Sequence, residues 1–439
     1  MCIFLKAVPL LMATAWACNV PHLLAEDLKD IYRMALQHDA KFSADQAKFY
    51  AELELILQRR SQLLPQITIE AQSRWSKIER DQAMDNLGID QANHTYGLQL
   101  VQPLFRWNEW SRYKQGQKLE VLAAAQLANA RQRLLLRVAQ AYFEALYAND
   151  VHQTAEKLKA AEAQQLTIVL KNFKLGALNI LDVHEIQASF DKTTADLIEA
   201  EIALQESYYD LARITGSRPG RLLDLRDDLM LISPLPADVD NWIRAAVRDN
   251  LDVQARKFQL IIAQHEVSSQ EAGHLPTIDI VAGFNNRSSS SSNINQQKSS
   301  SVALRFSMPL YAGGRTTAAV RSAKASHAQA EAELDDAKRG AVANTRKAWL
   351  GMVSGFARIR ALETAKISMK SALDSNRIGY KVGLSSISDV LKAQVLYSET
   401  VQRLARAKYD TLLSKITLKY SVGSLNENDL DEINLLLGP

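Results

Sequence analysis

The chain has 439 residues, of which 47% are hydrophobic and 23% charged, and its formal net charge at pH 7 is +3. It is too apolar for a disordered chain, and its near-neutral balance gives no reason to expect nucleic acid as a partner. With 10 Pro, 17 Gly and heavy use of Ala, Leu, Gln, Lys and Glu, the composition favours long helices.

Residues 1–25 read as a signal peptide. Lys6 supplies the positive start, 7–17 the apolar centre, and Leu23-Leu24-Ala25 a cleavage site ahead of Glu26-Asp27. Cleavage after Ala17 is a second option. The apolar run is short of the ~20 residues a spanning helix needs. Ala15-Trp16-Ala17-Cys18 fits a lipoprotein signal poorly. Both cysteines, Cys2 and Cys18, lie in this leader. Removing it leaves no disulfide, thiolate metal site or cysteine nucleophile. No later run is long and apolar enough to span a membrane as a helix.

Residues 26–439 read as one protomer built from two repeats, about 26–216 and 238–423, with a linker at 217–237 and a tail at 424–439. Leu64-Pro65-Gln66-Ile67 returns as Leu275-Pro276-Thr277-Ile278, and Gln102-Pro103-Leu104-Phe105 as Met308-Pro309-Leu310-Tyr311. Matching landmarks in matching order identify a duplication. Each repeat opens with a helix, 28–63 and then about 239–274. Asp27 and Asp238 stand at the N-cap positions, and Pro65 and Pro276 close the runs.

Two strands follow in each repeat. Ile67, Ile69 and Ala71 alternate with Thr68, Glu70 and Gln72; Tyr96, Leu98 and Leu100 with Thr95, Gly97 and Gln99. In the second repeat Val302, Leu304, Phe306 and Met308 alternate with small or polar residues, and 277–284 do so less cleanly. This is the pattern of a strand with lipid on one side and water on the other, and equally of a half-buried hairpin in a soluble domain. The Ser-rich stretch 285–301 reads as a solvated loop.

A long helix then runs from about Leu104 or Gly314 to a glycine, and a medium helix returns to Gly216 or Gly423. At about seventy residues the long helix spans roughly 100 Å, which no small globule can bury, so it requires a coiled coil. The turning points are KLGALNILDV at 174–183 and KVGLSSISDV at 381–390. Gly176 and Gly383 give the tight turns at two hairpin tips, and Asp182 and Asp389 each follow six residues later. Four strands cannot close a barrel, so if they enter a membrane several chains must pool them.

Enzymatic chemistry finds no support. His184-Glu185 and His265-Glu266 lack the second His of a zinc-protease helix. No phosphate-binding Gly-Lys loop or dinucleotide glycine pattern is present, and neither a metal site nor a cofactor is expected.

The ordered set of Glu26-Asp27-Leu28 with Tyr32, Ala35 and Asp39, the two Leu-Pro pairs, Pro309-Leu310-Tyr311-Ala312-Gly313-Gly314-Arg315 and the two tips resembles the TolC-type outer-membrane efflux and secretion family. The resemblance covers about 26–425. It implies a mainly α chain that contributes to a membrane β-barrel. Three chains would form a homotrimer with a 12-stranded barrel in outer-membrane lipid and a long α-helical barrel in the periplasm. A periplasmic adaptor and an inner-membrane ABC, RND or MFS transporter are the implied partners. The alternative is an exported structural or adhesive coiled-coil protein without channel activity.

The resemblance also implies a gate at the tips. Asp182 and Asp389 match aspartates near the family's constriction, and Tyr380 matches a tyrosine of its closing links. Ser385 stands where the family has an arginine of those links, and Lys392 where it has a second ring aspartate. The closing network must therefore differ here. An Asp389–Lys392 pair is possible at this helical spacing, and either Asp could instead be an N-cap.

Overall fold

The computed structural model describes residues 25–80, 87–226, 237–290 and 296–438. Almost all of the signal peptide, half of the linker, the hairpin ends at 81–86 and 291–295, and Pro439 lie outside them. The element order is α1 (Leu28–His38), α2 (Ala40–Ser61), β1 (Gln66–Arg80), β2 (Leu87–Phe105), α3 (Trp107–Lys174), α4 (Ile180–Thr215), β3 (Asp224–Leu225), α5 (Val239–Asp249), α6 (Leu251–Glu271), β4 (Thr277–Ser289), β5 (Gln296–Ser307), α7 (Arg315–Lys381), α8 (Ile387–Ser421), α9 (Asn428–Asn434) and β6 (Leu437–Gly438). From helix through hairpin to helix pair, the first half of this order recurs in the second.

The expected opening helix of each repeat is two helices. Asp39 ends α1 and its side chain caps α2 by accepting from Phe42 N at 2.6 Å. Asn250 does the same between α5 and α6, accepting from Asp252 N and Val253 N. A short polar side chain that bonds the next turn's amides offers the backbone an alternative to continuing the helix. Asp27 and Asp238 are N-caps as expected.

α3 has 68 residues and α7 has 67, each about 100 Å long. α4 coils along the tip end of α3, and α8 along α7. Near the strands α2 lies on α3, and α6 lies between α3 and α7. The largest core forms at the waist. Leu28, Ile31, Tyr32 and Ala35 of α1 meet Leu134, Val138, Tyr142 and Leu146 of α3, Leu211 of α4 and Ile416 of α8.

The tail closes over this core. Leu430 and Ile433 of α9 are buried in it, and β6 pairs with β3. Cations flank the acidic tail: Lys29 to Asp431 at 2.6 Å, Lys415 to Glu432 at 2.9 Å, Arg131 to Glu427 at 2.5 Å, and Lys419 to Asp429. Arg131, Arg133 and Arg137, spaced along α3, are thereby absorbed into structure: Arg133 donates to Tyr420 Oη and Arg137 grips Asp39 in a two-toothed pair.

The four long strands form one antiparallel sheet in the order β1-β2-β4-β5. The strands are longer than the alternation suggests. Much of the Ser-rich stretch belongs to β4 and β5, which pair from Thr277↔Ser307 to Ser288↔Gln296. Ladder bonds come from the backbone, so a run of serines can pair wherever no apolar face is needed. β2 carries through Pro103, where the register against β4 shifts; Pro has no N–H for a ladder, so an irregularity is where a central strand can hold one.

Burial pushes the Asp39 carboxyl up, but hydrogen bonds from Arg137 and from Phe42 N–H outweigh it and hold it below its ordinary value. A carboxyl lowered on folding stabilises above its unfolded pKa, about 4, and that stability is lost as pH falls through the folded value. Asp39→Asn should therefore cost about 2 kcal/mol at neutral pH, read as a fall in Tm. The deficit relative to the parent should shrink below about pH 4.

Candidate functional site

Two regions carry the features that a conduit needs, namely the sheet and the paired tips. In the sheet, register decides the faces. Ile67, Ile69 and Trp75 of β1 lie across from Leu100, Leu98 and Ala92 of β2. Leu100 and Leu98 lie across from Ala282 and Phe284 of β4, and Ile278, Ile280 and Ala282 from Phe306, Leu304 and Val302 of β5. One face is thus apolar from edge to edge and it is bare: Ile69 and Val302 are each 79% exposed. The other face carries Thr68, Glu70, Gln72, Thr95, Gln99 and Asn285, and it is concave, lining a trough of about 370 Å³. From Gln66 to Trp75 a strand rises about 30 Å. Tilted by ~40°, that matches the ~25 Å apolar band of an outer-membrane barrel.

At the junction with the helices, Arg106 donates to both oxygens of Asp279 at 2.8 and 2.9 Å. The pair ties the start of α3 to β4 on the polar face. No helix among the described residues is long and apolar enough to cross a membrane. No group of three or more His, Cys, Asp or Glu among them is placed to hold a metal.

At the first tip Gly176 has φ +73°, and Ala177 N donates to Asn172 O while Gly176 N donates to Phe173 O. At the second, Gly383 has φ +79°, Leu384 N donates to Gly379 O and Gly383 N to Tyr380 O. Both are Schellman closures, which need a left-handed residue that glycine supplies without strain. The next helix starts within four residues. Asn179 and Ser386 are the N-caps, and Asp182 and Asp389 are the third helical residues, reaching back to the cap amides at 3.2 and 3.0 Å. Neither Asp is an N-cap itself; each completes a capping box.

Asp389 also accepts from Ser386 Oγ at 2.7 Å. These hydrogen bonds, hydroxyl first, hold its carboxyl below the ordinary value, and the charge of Lys392 adds the smallest share. Within the chain, no ion pair among the described residues joins Asp389 to Lys392, because the carboxylate is turned to its cap. Lys392 is exposed one turn on.

Tyr380 packs with Val169, Ile186, Ile387 and Leu391, a small core that pins the two tips together. Burial raises its pKa, with the charge of Asp182 on the other tip second. Its hydroxyl is buried without a hydrogen-bond partner among the described residues. Asp182 thus lies near enough for its charge to reach Tyr380, whereas Asp389 and Lys392 are exposed. Sequence inspection missed Asn179 and Ser386, although a polar residue three places before an acid is the capping-box signature. It missed Gly379 too: a Cβ there would meet Ser385 Oγ at 2.5 Å, so this glycine lets the turn fold back on α7.

A two-faced sheet joined to 100 Å helical hairpins defines a protomer of an outer-membrane duct, and comparison with known proteins agrees. The profile of a family described as outer membrane efflux protein matches residues 31–217 and 242–424. The chain is 31% identical to outer membrane protein TolC of Vibrio cholerae serotype O1, over 98% of each chain. It is 30% identical to the proteases secretion protein PrtF of Dickeya chrysanthemi, over 93% of this chain and 90% of that one. The fold matches the outer membrane protein VceC of Vibrio cholerae with a TM-score of 0.76 at 19% identity, over 90% of this chain and 96% of that one. It also matches the open state of the Neisseria gonorrhoeae MtrE outer membrane channel with a TM-score of 0.74 at 18% identity, over 91% and 90%.

This chain belongs to the outer membrane efflux protein family. It is an outer-membrane channel protein of the efflux and secretion class, and an exported coiled coil without channel activity is not favoured.

The tip geometry sets an expectation for local stability. Ser386→Ala removes a cap worth about 1 kcal/mol and should speed amide exchange in the first turn of α8 roughly fivefold. Tyr380→Phe should leave tip exchange unchanged or slower, since a buried hydroxyl without a partner stabilises nothing. Hydrogen-exchange mass spectrometry of the tip peptides reads both.

Proposed function

We propose that the chain is the passive exit duct of a tripartite efflux or type I secretion system. Three copies pool their strands in a 12-stranded barrel in outer-membrane lipid. Their helices form a periplasmic tube that is gated at the tips around Gly176 and Gly383. The observation that carries this is the bare apolar face of a sheet whose outer edges, on β1 and β5, pair with no strand among the described residues.

The tips support a docking role as well. Leu175, Leu181, Val382 and Leu384 are 73%, 58%, 63% and 85% exposed, at the far end of the molecule from the sheet. Apolar side chains bared together mark a contact surface. A periplasmic adaptor, bridging to an ABC, RND or MFS transporter in the inner membrane, is the partner that such an end requires. The duct performs no chemistry; its work is gating. Two repeats of 26–216 and 238–423, with linker 217–237 and tail 424–439, form the protomer after loss of the signal peptide.

In the gate, the ring of Tyr380 packs against Val169 and Ile186 of the other hairpin, and Asp182 closes the cap of the helix beside it. Asp389 and Lys392 of three chains surround the entrance. Alternating signs weaken the attraction for cations that a purely acidic ring would have.

Reconstitution in planar bilayers tests the duct, with discrete conductance steps expected. Lys392→Asp should make the entrance acidic and strengthen block by divalent cations by about tenfold or more; unchanged block would remove Lys392 from the gate. In the sheet, Leu304→Arg on the apolar face should cost about 2–4 kcal/mol in lipid and cut the yield of heat-modifiable trimers. Ser301→Arg on the other face of β5 should leave that yield intact.

A further inference from the structure

The concave face of the sheet carries a charge pattern that the duct alone does not explain. Counting rows from the helices towards the hairpin ends, Asp279 lies across from Arg305 in the first row that carries charge. Further up, one row holds Glu70, Gly97, Asn285 and Ser299. The next row holds Gln72, Thr95, Arg287 and Gln297, and the row beyond it Arg74, Asn93 and Ser289. The ladder between these strands is unbroken over these rows, so the alternation that puts Ile69 and Trp75 on the apolar face puts Arg74 on the concave one.

Arg74 and Arg287 are both exposed, and neither makes an ion pair among the described residues. They stand two strand spacings and one row apart, about 12 Å. The carboxylates described on this face are Glu70 and Asp279. Asp279 is already neutralised by Arg106 at 2.8 Å. Arg74, Arg287 and Arg305 therefore outnumber the one remaining acid, and two of the three sit towards the hairpin ends.

We infer that Arg74 and Arg287 of each chain form a cationic collar in the outer part of the barrel lumen, which favours anions and binds small multivalent anions entering from outside. The collar rests on the duct proposal, because it exists only where copies close a barrel. Once closed, the arrangement repeats around the axis and six guanidinium groups face one column of water. A ring of arginines in a narrow pore attracts anions and repels cations. Low-dielectric walls concentrate that field. The screening length is about 10 Å at 0.1 M salt, comparable to the spacing of the two arginines, so the six act together. Guanidinium also suits the oxygens of phosphate-type anions better than a point charge does. At the tips, by contrast, Asp389 and Lys392 alternate in sign, so the two ends of the tube would filter by different rules.

The test uses the full-length trimer in planar bilayers under a KCl gradient. Sodium tripolyphosphate is added to each side in turn. The expected result is a reversal potential displaced towards chloride and a current block from one side only. Arg74→Gln with Arg287→Gln should weaken that block about tenfold or more and move the reversal potential towards potassium. Arg74→Lys with Arg287→Lys should retain the selectivity and part of the block, and formation of heat-modifiable trimers by each variant controls for folding. Channels that conduct with the same selectivity and block in the Gln pair would overturn the collar and leave the duct standing. Failure of the parent protein to conduct at all would overturn the duct, and the collar with it.

Discussion

The structure turns on unpaired backbone. β1 and β5 are the outer strands of a sheet with one bare apolar face, and their outward N–H and C=O groups pair with no strand among the described residues. In water those groups could be solvated, but the apolar face could not. In lipid the face is satisfied, and the edges become untenable, since each unsatisfied group costs several kcal/mol. Only closure meets both demands. A single chain has too few strands to close, so the membrane environment and the oligomer follow from the same fact.

The long helices answer a second problem of the same kind. A 68-residue helix has far more surface than one partner helix can cover, and α4 covers only the tip end of α3. α2 and α6 serve near the sheet, and the waist is where the change of partners occurs. There α1, the tail and the short β3–β6 ladder wrap α3, and Tyr142 Oη donates to the carbonyls of Glu26 and Leu223 at 3.2 and 2.9 Å. The joint is thus fixed by a large apolar core and by cation–carboxylate pairs around its rim. The tips are held by far less, a few apolar side chains and two capping boxes. Motion should be confined to the end with the smaller core.

Much of this was legible in the sequence because duplication gave every landmark twice. The alternation in 67–72 and 302–308 named the faces that register then assigned. The glycine tips were readable because a left-handed turn leaves few alternatives to glycine. What escaped was context. Asp39 and Asn250 split helices that periodicity alone runs together, since a cap is visible only when its amide partners are known. The serines of 285–301 looked like a loop because side-chain polarity says nothing of backbone pairing. Asp389 and Lys392 looked like a pair from their spacing, but Ser386 offers the carboxylate a nearer hydroxyl and amide. The hydroxyl of Tyr380, buried without a hydrogen-bond partner among the described residues, is likewise visible only in the packed structure.

The central claim is that β5 of one copy pairs with β1 of the next. The most direct measurement is a cysteine scan along these two strands in the full chain, whose own cysteines are Cys2 and Cys18. After oxidation in the outer membrane, pairs at one register should link chains into a closed covalent trimer, and pairs shifted by one residue, which point to opposite faces, should not. Monomers at every register, or cross-links only within one chain, would contradict it.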